Sequence, residues 1–280
     1  MHSNCDLQQP LVTVVTVCFN LIDQGRRDSF LQCARSVRLQ TYPNIEHIII
    51  DRGSHDGTVE LIQSLGLDYI SEPDHGIYDA MNKGILRAKG AYILFLNSDD
   101  YFHNPEGIAK SVQCLIHSKA AYSYAQSTVM WNEAENTRST WKARYFRTLW
   151  RMPFCHQSML CDREILVKEG MFDTAFKLAA DYDLIIRLFL RGYKAAKVNC
   201  CFVTFRIGGE SCKNLALSQK EQVDAFEKNY SPYVKKTREE WEKYYCAPCL
   251  PFTLVKFLSN YTFFEIIFVV HYCPVKKPGK

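Results

Sequence analysis

No G-x-G-x-x-G follows the first apolar run, and no G-x-x-x-x-G-K-[ST] occurs anywhere in the 280 residues. Neither a dinucleotide-binding turn nor a P-loop is therefore available to hold phosphate. No block of Lys and Arg interrupts the first two hundred residues, and a formal charge of +4 is small for this length. That balance argues against a nucleic-acid partner. Residues 1–10 are polar and carry no apolar h-region, so nothing there reads as a secretory signal and the chain is expected in the cytosol. The twelve cysteines are scattered, several inside apolar runs as at Cys18, Cys33, Cys114 and Cys161, which fits small reduced core residues rather than a disulfide framework. Cys246 and Cys249 have the spacing of half a zinc site, but no second pair with ligand spacing accompanies them, and a plain loop is the simpler reading.

What is present is an alternation. The run LVTVVTVC at 11–18 is β-branched and almost wholly apolar, as a strand buried on both faces of a parallel sheet must be. A helix is expected over 28–40, a strand over 45–50, a helix over 59–65, a short strand near 69–70, a helix over 77–88 and a strand over 91–96. Strands and helices alternating at this length specify a mostly parallel α/β sheet. Ligands of such sheets bind beyond the carboxyl ends of the strands. Those ends are polar here: Phe19-Asn20, Asp51, and Asn97-Ser98-Asp99-Asp100. A carboxylate repels phosphate, yet it can hold Mg²⁺ or Mn²⁺, which in turn bridges to a diphosphate. The same acids could also simply begin a solvated turn. In the helix 77–88, Ile77, Ala80, Met81, Gly84, Ile85 and Ala88 form a packing stripe, while Asp79, Asn82 and Lys83 share another face, which would equally suit solvent. In 179–188, Asp183 and Arg187 are spaced to pair with each other, leaving Asp181 in the first turn, where it could act as a cap.

Taken in order, VVTVCFN (14–20), SVRLQTYP (36–43), EHIIID (46–51), GSHDGT (53–58), SEPDHGIYDAMNKG (71–84) and LNSDD (96–100) resemble the family-2 glycosyltransferases, and the likeness runs over about residues 11–210. The subgroup most resembled makes bacterial cell-surface polysaccharide and lipopolysaccharide. The resemblance implies a GT-A fold, Rossmann-like and nucleotide-binding, with a mostly parallel sheet flanked by helices and a helical C-terminal extension. It also implies a metal-dependent hexosyltransferase (EC 2.4) that inverts the anomeric carbon while moving a sugar from a nucleotide-diphosphate donor, expected to be a UDP-sugar, to a glycan or lipid-linked hydroxyl. By the same resemblance Phe19, Asn20, Asp51, Asp79, Asn82, Asn97 and Ser98 meet the donor. Asp99 and Asp100 hold Mn²⁺ or Mg²⁺, Asp181 is the catalytic base, and His156 and Gln157 meet the acceptor. Two positions depart from the family: Asn97 stands at the first acid of D-x-D, and Ala180 at the Glu of the Glu-Asp pair. These departures motivate an alternative, a nucleotide-sugar-binding protein of the same fold without turnover. A nucleotidyltransferase would share the strand-end acids and the metal, but the match at Asp181 speaks against it. Residues 205–211 resemble the Gly-rich loop that follows the base in this subgroup and could close over the donor.

Two units are expected, a transferase domain over 1–215 and a helical segment over 216–280. Residues 250–272 are apolar and Phe-rich but interrupted by Lys256, Asn260 and Glu265. A helix lying at the membrane interface suits that pattern better than one packed on the catalytic domain or a spanning one, and it would place the chain at the inner face of the cell membrane.

Overall fold

The computed structural model describes residues 9–246. The first half repeats strand and helix: β1 (Val12–Cys18), α1 (Arg27–Arg38), β2 (Ile45–Asp51), α2 (Thr58–Ser64), β3 (Asp68–Ser71), α3 (Ile77–Arg87) and β4 (Tyr92–Phe95). Then come β5 (Tyr101–Phe102), α4 (Gly107–Ser118), β6 (Tyr122–Asn132), β7 (Thr137–Trp141), β8 (Met159–Asp162) and α5 (Arg163–Lys168). The last elements are α6 (Ala180–Leu190), β9 (Ala195–Arg206), α7 (Glu210–Lys213), α8 (Leu215–Tyr230) and α9 (Arg238–Cys246). The strands form a single sheet in the order β3-β2-β1-β4-β8-β6-β9-β5, with β7 paired to β6. The β3-β2-β1-β4 portion is parallel throughout. β8 runs antiparallel to both β4 and β6, and β6 pairs with β9 in parallel.

Both faces are covered, which is why the strands read as unbroken apolar runs. Val12 and Val14 of β1 and Leu94 of β4 pack with Val37 of α1 and Val112 of α4. On the opposite face Val15, Ile93 and Phe95 pack with Met81 and Ile85 of α3 and Ile185 of α6. At Gly84 the helix α3 sits so close to β1 that an added Cβ would collide with Val15, and a larger residue would force the two apart. One detail of the expected stripe is different. Ile77 is 42% exposed and Tyr78 is buried instead, because α3 starts immediately after Gly76, whose φ of 129° turns the chain in; the first residue of the helix faces open space and the second faces the core.

The helical segment expected from 216 onward begins as α8. Val223, Phe226 and Tyr230 join the same apolar cluster as α3 and α6, and Trp241 and Tyr244 of α9 complete it. The stretch 250–272, with its expected membrane contact, and Cys249 of the Cys246/Cys249 pair lie outside the described residues. Among the described residues no helix is long and apolar enough to cross a membrane.

His47 in β2 gives the fold a pH dependence. Its Nε2 is 3.0 Å from Thr16 Oγ1, and Nδ1 is enclosed without a partner. Burial, with the Arg38 charge added, pushes its pKa down from 6.5 to about 4. Below pH 6.5 the unfolded chain takes up a proton that the native ring does not accept until about pH 4, so stability falls as pH drops through that window. Because the ring as a whole is part-exposed, the loss is expected at about 1–2 kcal/mol rather than the full conversion of the shift. Urea titrations of the parent and of His47→Gln at pH 7.5 and 4.5 should show it as a loss in the parent relative to the variant on going to pH 4.5, a comparison in which the opposite contribution of other groups cancels.

Candidate active site

The strand order reverses direction at β1: β2 and β3 build out on one side, and the connection from β3 carries β4 to the other. The chain segments leaving the carboxyl ends of β1 and β4 must diverge at such a switch point, and a crevice opens between them. A cleft of about 720 Å³ lies there, lined on one side by Phe19 and by Asn97, Ser98 and Asp99. The turn before α3, the segment 174–182 and the start of α7 wall the rest.

One end of the cleft is rich in arginine. Arg52 stacks on Phe19, its guanidinium carbon 5.3 Å from the ring centroid, and its Nε lies 3.2 Å from Asp74 Oδ1. Arg26 Nη1 is 3.5 Å from Asp99 Oδ2. Arg206 donates to the Asp99 carbonyl and pairs with Glu133 at 2.9 Å, while its guanidinium lies over Tyr101. Three guanidinium groups thus face a strand end that also carries carboxylates, a mixed field able to hold a polyanion.

Asp99 and Asp100 are not equivalent. Asp99 is part-exposed and lines the cleft. Asp100 is 1% exposed, accepting at Oδ1 from the Arg206 backbone N–H at 2.7 Å and at Oδ2 from Gln157 Nε2 at 2.5 Å. Burial first, and the Asp99 charge second, push the Asp100 pKa up to about 8. Among the described residues no three His, Cys, Asp or Glu side chains converge to cage a metal. A hard cation would be held here through Asp99, the strand-end carboxylate that faces the cleft. The Asn97 Oδ1, two residues away, is buried with no partner and is a further oxygen of the right chemistry.

The other end holds a carboxylate in a small network. Asp181 lies in the first turn of α6, but it does not cap the helix: the Ncap is Ala179, without a side-chain cap. Its Oδ1 accepts from the Tyr78 hydroxyl at 3.0 Å and from the Tyr182 N–H at 2.8 Å. Its Oδ2 lies 3.0 Å from His156 Nδ1. The His156 Nε2 is buried and has no partner. The chain entering α6 is held by buried Glu221 of α8, whose carboxylate accepts from the N–H groups of Lys177, Leu178 and Ala179. Asp181 is therefore fixed from three elements, α3, α6 and the turn at His156.

The residues singled out from sequence separate into two groups. Phe19, Asp79, Asn97, Ser98, Asp99, His156 and Asp181 line the cleft. Asn20, Asp51, Asn82, Asp100 and Gln157 do not. Asp51 is wholly buried and ties the loop after β2, accepting from Gly53 N–H, Ser54 N–H and the Ser71 hydroxyl. Asn20, with φ of 46°, receives the His55 N–H on its side chain. Asn82 exchanges both amide hydrogen bonds with the backbone of Phe172, at 2.9 Å each way. Gln157 accepts the Asn97 N–H at 2.8 Å while donating to Asp100. These five build the walls; the seven face the space between them. Sequence reasoning missed Arg26, Arg52, Arg206 and Tyr78. Arg52 directly follows Asp51 and Tyr78 interrupts the apolar stripe of α3, so both carried a signal; Arg26 carried none.

The sequence profile described as glycosyl transferase family 2 matches residues 13–176. An uncharacterised glycosyltransferase of Mycobacterium tuberculosis is 33% identical over 185 residues, 64% of this chain and 68% of that protein. A PGL/p-HBAD biosynthesis glycosyltransferase of Mycobacterium bovis is 27% identical over 165 residues, 56% of this chain and 63% of that protein. Among solved structures, residues 1–349 of S. aureus TarS in complex with UDP-GlcNAc superpose with a TM-score of 0.65 at 14% identity, covering 91% of this chain and 73% of that one. The chain spans only 43% of a longer TarS structure. The mannosyltransferase PcManGT of Pyrobaculum calidifontis, in complex with GDP-Man and Mn²⁺, gives a TM-score of 0.65 at 17% identity over 95% of this chain and 79% of its own. The fold is thus GT-A, and with more than half its length inside the profile the chain belongs to glycosyltransferase family 2.

Proposed function

We propose that this protein transfers a sugar from a nucleoside-diphosphate donor to an acceptor hydroxyl, with inversion, in the synthesis of a surface polysaccharide or its lipid-linked precursor. The observation that carries the reading is the division of one cleft into a cationic end, at Arg26, Arg52 and Asp99, and a basic end, at Asp181 beside His156. A displacement needs those two functions on opposite sides of the sugar. A hydroxyl is a weak nucleophile at neutral pH, so a group within hydrogen-bond reach must take its proton as the new bond forms. The Asp181 end supplies it, and Tyr78 keeps the carboxylate aimed. The departing diphosphate gathers negative charge, which fixed positive groups offset without reorganising. Arg26, Arg52 and Arg206 are such groups. Mn²⁺ or Mg²⁺, held through Asp99, would supply further charge neutralisation at the leaving group when bound. The stacked Phe19–Arg52 pair offers a flat surface beside the strand end where a base can lie.

The complexes of similar structures with UDP-GlcNAc and GDP-Man support a nucleotide-sugar donor. A lipid-linked acceptor at the inner, cytoplasmic face of the membrane, contacted through 250–272, accords with that stretch's apolar composition.

Calorimetric titration with UDP and GDP, with and without Mn²⁺, tests the donor end. One of the two nucleotides is expected to bind in a Mn²⁺-dependent way, and Asp99→Ala to weaken it about 10- to 100-fold, the range found when a metal-site partner is lost. Binding that ignores both Mn²⁺ and Asp99 would remove the metal from this account.

A further inference from the structure

We infer that the face carrying Arg144, Arg147 and Arg151 docks on the phosphate headgroups of an anionic bilayer, with the mouth of the cleft beside it; that the acceptor then arrives from the bilayer rests on the transferase reading above. No Asp or Glu occurs between Asn136 and Cys161, whereas Arg138, Lys142, Arg144, Arg147 and Arg151 do. A short 3₁₀ turn over Tyr145–Leu149 gathers the last three. The Arg147 N–H donates to the Arg144 carbonyl at 2.9 Å, and the Arg151 N–H to the Arg147 carbonyl at 2.7 Å. Arg144 and Arg151 are exposed and Arg147 is half-buried. Among the described residues no carboxylate pairs with any of the three. The Arg151 guanidinium donates to the Tyr245 carbonyl at 3.4 Å and lies over that ring. Burial first, then the charges of Arg144 and Arg151, pull the Arg147 pKa below its ordinary value. Like charges gathered without a counterion repel one another, and a surface of phosphates offsets that cost.

Position and composition select a bilayer from among the polyanions. The Arg144 N–H donates to the Pro153 carbonyl at 2.9 Å, next to Met152, which lines the cleft. Tyr245, under Arg151, donates its hydroxyl to Gln222 at 3.0 Å, and Gln222 lines the cleft as well. The cluster therefore borders the cleft. Phe146 and Trp150, both part-exposed, alternate with the arginines, and such a mixture of aromatic and basic groups suits headgroup depth. From Cys246, next to Tyr245, the chain runs on into residues 247–280, where Lys256, Lys276, Lys277 and Lys280 face a single acid, Glu265, in the composition. That composition adds cations instead of neutralising the arginines, and the Phe-rich run 250–272 within it suits the same partner.

Co-sedimentation of the full chain with vesicles tests the docking, using phosphatidylcholine alone and phosphatidylcholine mixed with phosphatidylglycerol. The parent is expected to prefer the anionic vesicles and to lose that preference as salt rises. Each arginine near the surface is worth about fivefold in affinity, so replacing all three by alanine is expected to weaken anionic-vesicle binding about 100-fold. Replacing all three by lysine, which keeps the charge, is expected to retain most of it. An alanine variant within threefold of the parent would overturn the inference, as would a parent that binds both vesicle types alike. Inorganic phosphate that displaces the parent from vesicles at constant ionic strength would mark a pocket for one phosphate group and overturn it too. If the triple alanine variant does not fold, Arg144→Ala and Arg151→Ala decide singly: about fivefold loss in each supports docking, and unchanged affinity in both overturns it. Diphosphate release without acceptor is expected to be equal in parent and variants, so failure of the docking and failure of the transferase reading are read separately.

Discussion

Asp181→Asn is expected to lower donor turnover about 10³-fold while leaving UDP or GDP affinity unchanged, the signature of a group needed only as the reaction proceeds. The substitution keeps the size of the side chain and can still accept from Tyr78 and from the Tyr182 N–H, the two partners of Oδ1. What it removes is the negative charge and the acceptor that faces His156 Nδ1. An amide does not take up a proton at neutral pH, so the acceptor's proton would have no destination at this end of the cleft. The diphosphate end, built from Arg26, Arg52 and Asp99, is untouched by the change, so binding should not follow turnover downward. A parallel fall in nucleotide affinity would mean that Asp181 shapes the pocket instead of serving the reaction.

Two residues further along the same helix, loss of the carboxylate should act on stability. Asp183 has no exposed side-chain surface and holds three groups: Arg187 Nε at 2.8 Å, Lys228 Nζ at 2.9 Å and Asn229 Nδ2 at 2.8 Å. Removing one member of a buried ion pair costs about 3–5 kcal/mol, since the other charge stays behind. Here the cations keep other partners, Arg187 on the Glu169 and Met171 carbonyls and Lys228 on Asp173. Asp183→Ala is therefore expected near the lower bound, about 3 kcal/mol, read from urea unfolding as a shift of midpoint without change of slope. Asp181→Asn should move the same midpoint far less. A pair of carboxylates in one helical turn, one serving the reaction and one the fold, is a direct contrast of roles.

That contrast also shows what the sequence could and could not disclose. The parallel half of the sheet was legible because its strands are buried on both faces, so LVTVVTVC and IIID announce themselves as uninterrupted apolar runs. The Asp183–Arg187 pair was legible from its helical spacing alone. The direction of the polar side chains at the strand ends was not. Asp51, Asp99 and Asp100 look alike as text, yet one anchors a loop, one faces the cleft and one is enclosed by Gln157 and Arg206. Which way each turns depends on contacts made 20 to 106 residues away along the chain. The same applies to Tyr78 and His156, which reach Asp181 across long sequence separations and meet it only once α3, α6 and the turn at 156 have packed. Asn82, placed on a polar helical face by its spacing, finds the backbone of Phe172 on that face rather than the cleft.

The central claim is that this cleft turns over a nucleotide sugar, and the most direct measurement is release of nucleoside diphosphate by the purified full chain from UDP- and GDP-sugars, with Mn²⁺, alone and with a lipid extract as acceptor source. The account predicts slow release from one donor class without acceptor, a rise when the extract is added, and loss of both in Asp181→Asn. A donor that binds but releases no diphosphate under either condition would contradict it, and would leave the protein as a nucleotide-sugar binder that has kept the GT-A fold without the reaction.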